Sequence, residues 1–168
     1  MHRRYDKALF AHKIELIKKL MPDAFIGVDV MVGCRGEKPE LFEECRDFLQ
    51  SLDVTQLHVF PYSERPGTMA LKIPYIVDEA EKKRRSKQLL DMSEEKRIAF
   101  YQKYIGTTAD VLFAKAAKGK AMHGFTDNYV RVELSATKAR EEYDNQIIKV
   151  KLLDFNHDKS ALKCEIIG

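Results

Sequence analysis

The sequence predicts an α/β segment followed by an all-β domain, with a long charged helix between them. Residues 1–61 alternate helical and strand patterns, and residues 77–105 form one charged helical stretch. After Gly106, short segments alternate apolar and polar side chains. Hydrophobic residues make up 45% and charged residues 33% of the 168 residues, as in soluble globular proteins. The formal net charge of +3 is small, so affinity for a polyanion requires a local basic patch.

Two helices and two strands are predicted in the first part of the chain. Residues 6–20 have the spacing of an amphipathic helix. Residues 24–33 are almost continuously apolar, as in a strand buried on both faces of a parallel sheet. A helix at 40–52 and a strand at 57–60 follow, an order typical of a parallel sheet with right-handed crossovers. Because two parallel strands are not stable alone, we expect further strands, from another molecule or from a larger barrel.

The loops that follow the two strands are the predicted location of a ligand site. Residues 61–68 are rich in Ser, Pro and Gly, which end the second strand. The glycine-rich loop 33–37 lies between a strand and a helix, where it can approach a nucleotide-like ligand. Loops at the carboxyl ends of parallel strands carry the chemistry in α/β proteins. The alternative is an ordinary buried strand with a proline-rich exit. Asp29, inside the first strand, either holds a ligand or is a structural carboxylate.

The charged stretch 77–105 is predicted to be helical, and its pattern leaves open a break at 91–93. Its first half carries a basic cluster, either a phosphate-facing patch or a solvated helix face balanced by neighbouring acids. The acids favour the solvated face. The cluster consists of Lys82, Lys83, Arg84, Arg85 and Lys87.

Five short segments after Gly106 predict a small antiparallel barrel. A longer connection, 135–146, is expected to hold a helical turn. The segments are 109–115, 121–126, 129–134, 147–154 and 161–167.

Aromatic and basic residues in this domain predict binding of single-stranded nucleic acid, as in many small closed barrels. Rings stack on bases, and Lys and Arg contact phosphates. The alternative is that the rings belong to the core and that the lysines only keep the surface soluble. The candidate residues are Phe125, Tyr129, Arg131, Lys115 and Lys120.

The cysteines and the amino terminus predict a cytoplasmic location. Cys34, Cys45 and Cys164 form no C-x-x-C motif and no disulfide framework, which suits a reducing compartment. No secretory signal follows Met1, and no apolar run is long enough to span a membrane. A thiol-based redox role for Cys34, activated by Arg35, is a weaker hypothesis.

Three stretches together resemble the radical S-adenosylmethionine methylthiotransferases. They are residues 25–37, 57–68 and 124–130, and residues 1–5 also look like a family motif. The resemblance extends over essentially the whole chain. It is better to the branch that methylthiolates threonylcarbamoyladenosine beside the tRNA anticodon than to the branches acting on isopentenyladenosine or on a ribosomal protein.

The resemblance implies a domain order and a set of cofactor contacts. Residues 1–76 would be the C-terminal part of a partial (β/α)6 radical SAM barrel, 77–106 a helical linker, and 107–168 a TRAM domain, an RNA-binding β-barrel. The implied partners are the tRNA anticodon stem-loop and the missing amino-terminal part of the same enzyme, with no membrane partner. The implied S-adenosylmethionine contacts, partly through the backbone, are Asp29, Gly33, Gly36, Val59, Phe60, Tyr62 and Ser63.

The chain departs from the family in two respects. The family loop Gly-Phe-Pro-Gly-Glu is Gly-Cys-Arg-Gly-Glu at 33–37, so Cys34 and Arg35 replace the Phe-Pro pair, and the sequence leaves open whether they alter the cofactor pocket. The C-x-x-x-C-x-x-C triad for the radical [4Fe–4S] cluster and the domain for the auxiliary cluster are missing. We therefore expect the complete enzyme to use S-adenosylmethionine and two [4Fe–4S] clusters, and this chain alone to bind none of them and to be inactive.

Two further expectations accompany this interpretation. The alternative hypothesis is an autonomous RNA-binding adaptor without catalysis. We also expect self-association through the open sheet edge, because unpaired strands invite pairing.

Overall fold

A computed structural model describes residues 5–167, and the chain divides into two compact units between Arg97 and Ile98. The first unit contains helices α1 (Lys7–Leu20) and α2 (Pro39–Ser51), strands β1 (Gly27–Val32) and β2 (Gln56–Pro61), a 3-10 turn at Met69–Lys72, and the start of helix α3 (Glu79–Gln102). Among residues 5–167, no helix is long and apolar enough to cross a membrane.

The helices of the first unit begin where the sequence offers a suitable first turn. Asp6 caps α1, since its side chain accepts a hydrogen bond from the Leu9 N–H at 2.8 Å. Pro39 is the first residue of α2, where its missing N–H leaves no partner unsatisfied. Both predicted helices are confirmed.

β1 and β2 form a two-stranded parallel sheet, as predicted, but helices cover only one of its faces. The covered face joins a core to which all three helices contribute. The residues of this core include Ile14, Val30, Val32, Phe42, Leu49, Leu57, Leu89 and Met92.

The other face of the sheet, here called the open face, is exposed. On β1 it carries Asp29 and Met31, which lie directly opposite His58 and Phe60 of β2. The prediction that the first strand is buried on both faces is therefore wrong for this chain. Its Gly, Asp and Met positions alternate with buried valines, so the pattern has the period of a half-exposed strand.

α3 is continuous, so the break considered at 91–93 does not occur. Ser93 is buried in the helix, and its hydroxyl donates to the Leu57 carbonyl (3.1 Å) and accepts from the Leu57 N–H (2.9 Å). The N–H and the carbonyl of one strand residue point to the same side of the strand, so a single hydroxyl can bond to both. Ser93 therefore satisfies the outer edge of β2 at Leu57.

The second unit is a closed five-stranded barrel, preceded by the end of α3. Its strand order is β3-β4-β5-β7-β6, and β5 pairs with β7 in parallel while the other pairs are antiparallel. The predicted closed barrel is confirmed, but it is mixed and not purely antiparallel. The predicted helical turn is present at Glu141–Tyr143. The strands are β3 Thr108–Phe113, β4 Met122–Thr126, β5 Arg131–Leu134, β6 Ile147–Phe155 and β7 Leu162–Ile166.

The barrel interior is filled by the inward-facing side chains of each strand, which are every second residue. Gly124 is required where β3 and β4 approach closely, since a Cβ there would lie 2.6 Å from the Leu112 carbonyl oxygen. The buried residues include Val111, Phe113, Met122, Val132, Leu134, Val150, Leu152, Leu162 and Cys164.

Candidate functional site

The open face carries two of the predicted cofactor contacts. Asp29 and Phe60 are exposed on it, and Met31, paired with Phe60, is also about half exposed. Val59 lies on the covered face and packs against the core, so only its backbone is available to a ligand on the open face. Because successive side chains of a strand point to opposite faces, Val59 and Phe60 lie on opposite faces of the sheet.

The loop after β1 is folded around the carboxylate of Glu37. The Gly33 N–H donates to Glu37 Oε1 at 3.0 Å, and the Cys34 N–H donates to Oε2 at 3.4 Å. Gly33 and Gly36 have φ of 78° and 83°, a backbone conformation that favours glycine. The Gly36 N–H donates to the Tyr75 carbonyl at 2.8 Å. Both predicted glycines therefore act through backbone shape, and their N–H groups already have partners.

Arg85 of α3 holds Glu37 in place. Its Nη1 donates to Glu37 Oε1 and to the Glu37 carbonyl, each at 2.8 Å, and its Nε donates to Glu81 at 2.7 Å. Its guanidinium also lies over the Phe42 ring, 5.0 Å from the centroid. Only 1% of Arg85 is exposed. Sequence reasoning missed this role, because a basic cluster on a charged helix is usually solvated.

The predicted contacts Tyr62 and Ser63 line a cleft of about 650 Å³ at the carboxyl end of β2. Arg35 closes one side, with Nε donating to Glu64 at 2.6 Å and Nη1 donating to the Leu71 carbonyl at 2.7 Å. Lys82 also lines the cleft and donates to the Tyr62 carbonyl at 3.2 Å and to Glu79 at 2.8 Å.

Cys34 is not an activated thiol. Its burial raises its pKa, and the neighbouring Glu37 carboxylate raises it further. Arg35, expected to lower this pKa, is instead bound to Glu64. The redox hypothesis therefore loses its physical basis. Within residues 5–167, no group of three His, Cys, Asp or Glu side chains is placed to hold a metal ion.

The basic cluster on α3 is mostly paired. Arg84 binds Glu81 and Lys87 binds Asp91, as expected of a solvated helix face. Lys82 and Arg85 differ from that expectation because they are buried. The cluster is therefore no phosphate patch, and two of its members shape the loops after β1 and β2.

The predicted rings of the barrel lie together on its outer surface. The centroids of Phe125 and Tyr129 are 5.7 Å apart. Phe125 is directly opposite Leu112 on one side and Arg131 on the other, and Leu112 is opposite Ile147. Between 45% and 71% of each of the four apolar residues is exposed. These five residues, here called the ring row, cross four neighbouring strands.

Sequence reasoning missed Leu112 and Ile147 as members of the ring row. Val111, Leu112 and Phe113 are all apolar in the sequence, so only the burial of Val111 and Phe113 identifies which residues of β3 point inward. Alternation therefore placed Leu112 on the outside.

Lys115 and Lys120 lie apart from Arg131, at a second cleft. It is enclosed by the loop between β3 and β4 and by residues 136–144. Lys118 and Arg140 line the same cleft. Within the described part of the chain, none of these four cations forms an ion pair.

No protein-family model matches the chain. The chain is 32% identical over 157 residues to the threonylcarbamoyladenosine tRNA methylthiotransferase MtaB of Bacillus subtilis, a match covering 91% of this chain and 34% of that protein. It is 33% identical over 161 residues to the tRNA-2-methylthio-N(6)-dimethylallyladenosine synthase of Finegoldia magna, covering 93% and 34%. An MtaB of Aquifex aeolicus is 31% identical over 138 residues, covering 82% and 32%.

These relatives include both adenosine-modifying types at similar identity, so identity alone does not distinguish the branch. The chain spans about a third of the length of the curated relatives that it matches. The chain belongs to the family of tRNA methylthiotransferases and corresponds to the part of these relatives that it matches.

Proposed function

We propose that the chain is the C-terminal part of a cytoplasmic radical SAM enzyme that adds a methylthio group to threonylcarbamoyladenosine beside the tRNA anticodon. The observation that carries this proposal is the similarity of more than nine-tenths of the chain to the Bacillus subtilis MtaB. Residues 1–76 belong to the barrel of that enzyme, 77–106 form its helical linker, and 107–168 form its TRAM domain.

The open face supports a role as one wall of a cofactor pocket. Phe60 and Met31 offer apolar surface to an adenine ring, and Asp29 offers a carboxylate to an ammonium or hydroxyl group. Tyr62 and Ser63 stand at the adjoining strand exit. These groups fit one side of S-adenosylmethionine, which supplies the radical chemistry when it is bound. The chain's own contribution is to bind and orient that molecule.

The iron–sulfur clusters do not fit the described residues. A [4Fe–4S] cluster needs several thiolates at close spacing. Cys34 and Cys45 lie in the first unit, while Cys164 is buried in the barrel, and no metal-holding group occurs in residues 5–167. We propose that cluster ligands come from the amino-terminal part of the same enzyme, and that these 168 residues alone do not catalyse methylthiolation.

The ring row supports a role of the barrel in holding the anticodon stem-loop. Exposed Phe and Tyr rings offer stacking surface to unpaired bases, at about 1–3 kcal/mol per base. Arg131 at the end of the ring row offers a charge for phosphate. An RNA-binding adaptor would use the same barrel, but it gives no reason for an apolar open face in the first unit.

The test is binding of a fluorescent tRNA anticodon stem-loop by the whole chain, measured as anisotropy at fixed salt. We expect the double variant Phe125→Ala, Tyr129→Ala to weaken binding by at least about fivefold, the lower limit for one lost stacked base. Tyr5→Ala removes an exposed ring from the first unit and serves as the control. Unchanged affinity in a folded double variant would remove RNA binding through the ring row.

A further inference from the structure

The cleft between the β3–β4 loop and residues 136–144 has the dimensions and lining of a ligand pocket. It encloses about 400 Å³, within the range of about 300–1,000 Å³ that is usual for small-ligand sites. Its walls include Ala116, Ala139 and the buried Met122. Small apolar walls of this kind accept a flat ring and leave room for it.

Hydrogen bonds hold both walls of the cleft in place. The Lys120 N–H donates to the Ala117 carbonyl at 3.0 Å, which closes a turn in the first wall. The Ala139 N–H donates to the Ser135 carbonyl at 3.0 Å in the second wall. The Asn145 N–H donates to the Phe113 carbonyl at 3.0 Å and so ties the second wall to the end of β3. The cleft is thus a formed site with a defined backbone.

The charges around the cleft favour a ligand that carries phosphate. Its rim has four cations, while Glu141 and Asp144 are the carboxylates that line it. Lys138, in the second wall, is not one of these cations, because it forms an ion pair with Glu165 at 3.0 Å. Cations without an ion pair among the described residues are available to phosphates, and the two carboxylates can accept hydrogen bonds from ribose hydroxyls or base amino groups. The four cations are Lys115, Lys118, Lys120 and Arg140.

We propose that this cleft binds one unstacked nucleotide of single-stranded RNA, with the base against the alanines and the flanking phosphates on the rim cations. The inference rests on the proposed RNA-binding function and extends it to a specific pocket. Asp144 in the cleft is close in sequence to Ile147, the residue that β6 contributes to the ring row. One strand can therefore stack on the ring row and place a neighbouring base in the cleft.

The test uses the whole chain with two 12-nucleotide probes, oligoadenylate and an abasic oligomer of the same length. Ala139→Phe fills the cleft and is expected to weaken oligoadenylate binding by at least about fivefold, the lower limit for one bound base. Binding of the abasic oligomer is expected to stay unchanged. Ala99→Phe, on the exposed side of α3 in the same unit, is the control for an added ring.

A second pair of variants tests the phosphate contacts. Lys118→Gln is expected to weaken binding of both probes and to lower the slope of log affinity against log salt by about one. Lys138→Gln removes the same charge from the second wall of the cleft, at a residue that binds Glu165 and does not line the cleft, and it is expected to leave the slope unchanged.

Each outcome decides the proposal. If the wild-type chain binds neither oligoadenylate nor the stem-loop, both the pocket and the proposed RNA-binding function are wrong. If it binds RNA and folded Ala139→Phe binds as tightly, only the pocket is wrong. Should Ala139→Phe fail to fold, titration of the wild-type chain with adenosine monophosphate, followed by amide NMR shifts, replaces it. Shifts at 115–120 and 136–144 support the pocket, and their absence there overturns it.

Discussion

The guanidinium of Arg85 joins three parts of the first unit. It binds the carboxylate that folds the loop after β1, a second carboxylate on its own helix, and the ring of Phe42. A charge this deeply buried is stable only because each partner compensates its lost hydration. Arg85 therefore adds a polar link between α3 and the loop after β1 to the apolar contacts that Leu89 and Met92 make with the core.

We expect Arg85→Met to lower the free energy of unfolding by about 3–5 kcal/mol, because it leaves Glu37 without its buried partner. Urea unfolding followed by circular dichroism measures this loss. Arg84→Met removes the more exposed neighbour, which binds Glu81 and lies 6.0 Å from the centroid of the Phe42 ring, and it is expected to cost much less because its ion pair is solvated. Equal losses in the two variants would contradict the role assigned to Arg85.

Glu81 makes the stability of the first unit depend on acid pH. Hydrogen bonds from Arg84 and then Arg85 lower the pKa of Glu81 to about 2, from an ordinary value of 4.5. A lowered folded-state pKa stabilises the fold above the unfolded pKa, and this stabilisation is lost as pH falls from 4.5 toward 2.

Glu81→Gln is therefore expected to flatten the decline of unfolding free energy between pH 4.5 and 2. Urea titrations at several pH values measure the slope. Glu95→Gln, an exposed carboxylate on the same helix, is the control and is expected to keep the wild-type slope. An unchanged slope in Glu81→Gln would show that these hydrogen bonds do not persist in solution.

At the scale of the elements, the approach of β3 to β4 depends on Gly124. An added Cβ would lie 2.6 Å from a backbone oxygen, which cannot move without opening the pair. We expect Gly124→Ala to destabilise the barrel by about 1–3 kcal/mol, the usual cost of overpacking. Gly27→Ala is the control, since its Cβ would meet only the end of the His58 side chain, at 3.1 Å. Thermal melts of both variants check the difference.

The helices and strands were predictable because their signals are local. Apolar spacing located α1, and alternation located the strands of the barrel. The break that the pattern left open at 91–93 does not occur, and the partner of Ser93 is Leu57, which is distant in sequence. The parallel pairing of β5 with β7 was also missed, since barrel closure decides it and no local pattern reports it.

The candidate site was predictable only in outline. Residue types located the exposed rings and the strand exits, but the organising contacts of Glu37 and Arg85 join residues far apart in the chain. A charge pattern on a helix cannot reveal which cation is buried. The two-residue period of a strand explains why Val59 and Phe60 lie on opposite faces of the sheet. It also explains the ring row, but only together with the registers of the sheet and the barrel, which the structure supplies.

At the scale of the molecule, the open face leaves the first unit with apolar surface and an unpaired strand. The Ile26 and Val32 carbonyls both bond toward β2, so the alternate residues of β1, Asp29 and Met31, direct their backbone groups to the outer edge. Ser93 covers part of the outer edge of β2, whereas β1 has no second strand partner within residues 5–167. β1 is therefore the edge at which another strand can add.

We expect the isolated chain to self-associate through β1, because an unpaired edge beside Met31 and Phe60 favours strand addition. Sedimentation velocity over a range of protein concentrations should show a rising average mass. Met31→Lys places a charge at this edge and is expected to restore the monomer, whereas Leu90→Lys, at an exposed leucine of α3, is not. A wild-type chain that stays monomeric at every concentration would mean that the open face is tolerated in water, and the argument that it is one wall of a larger barrel would lose its energetic support.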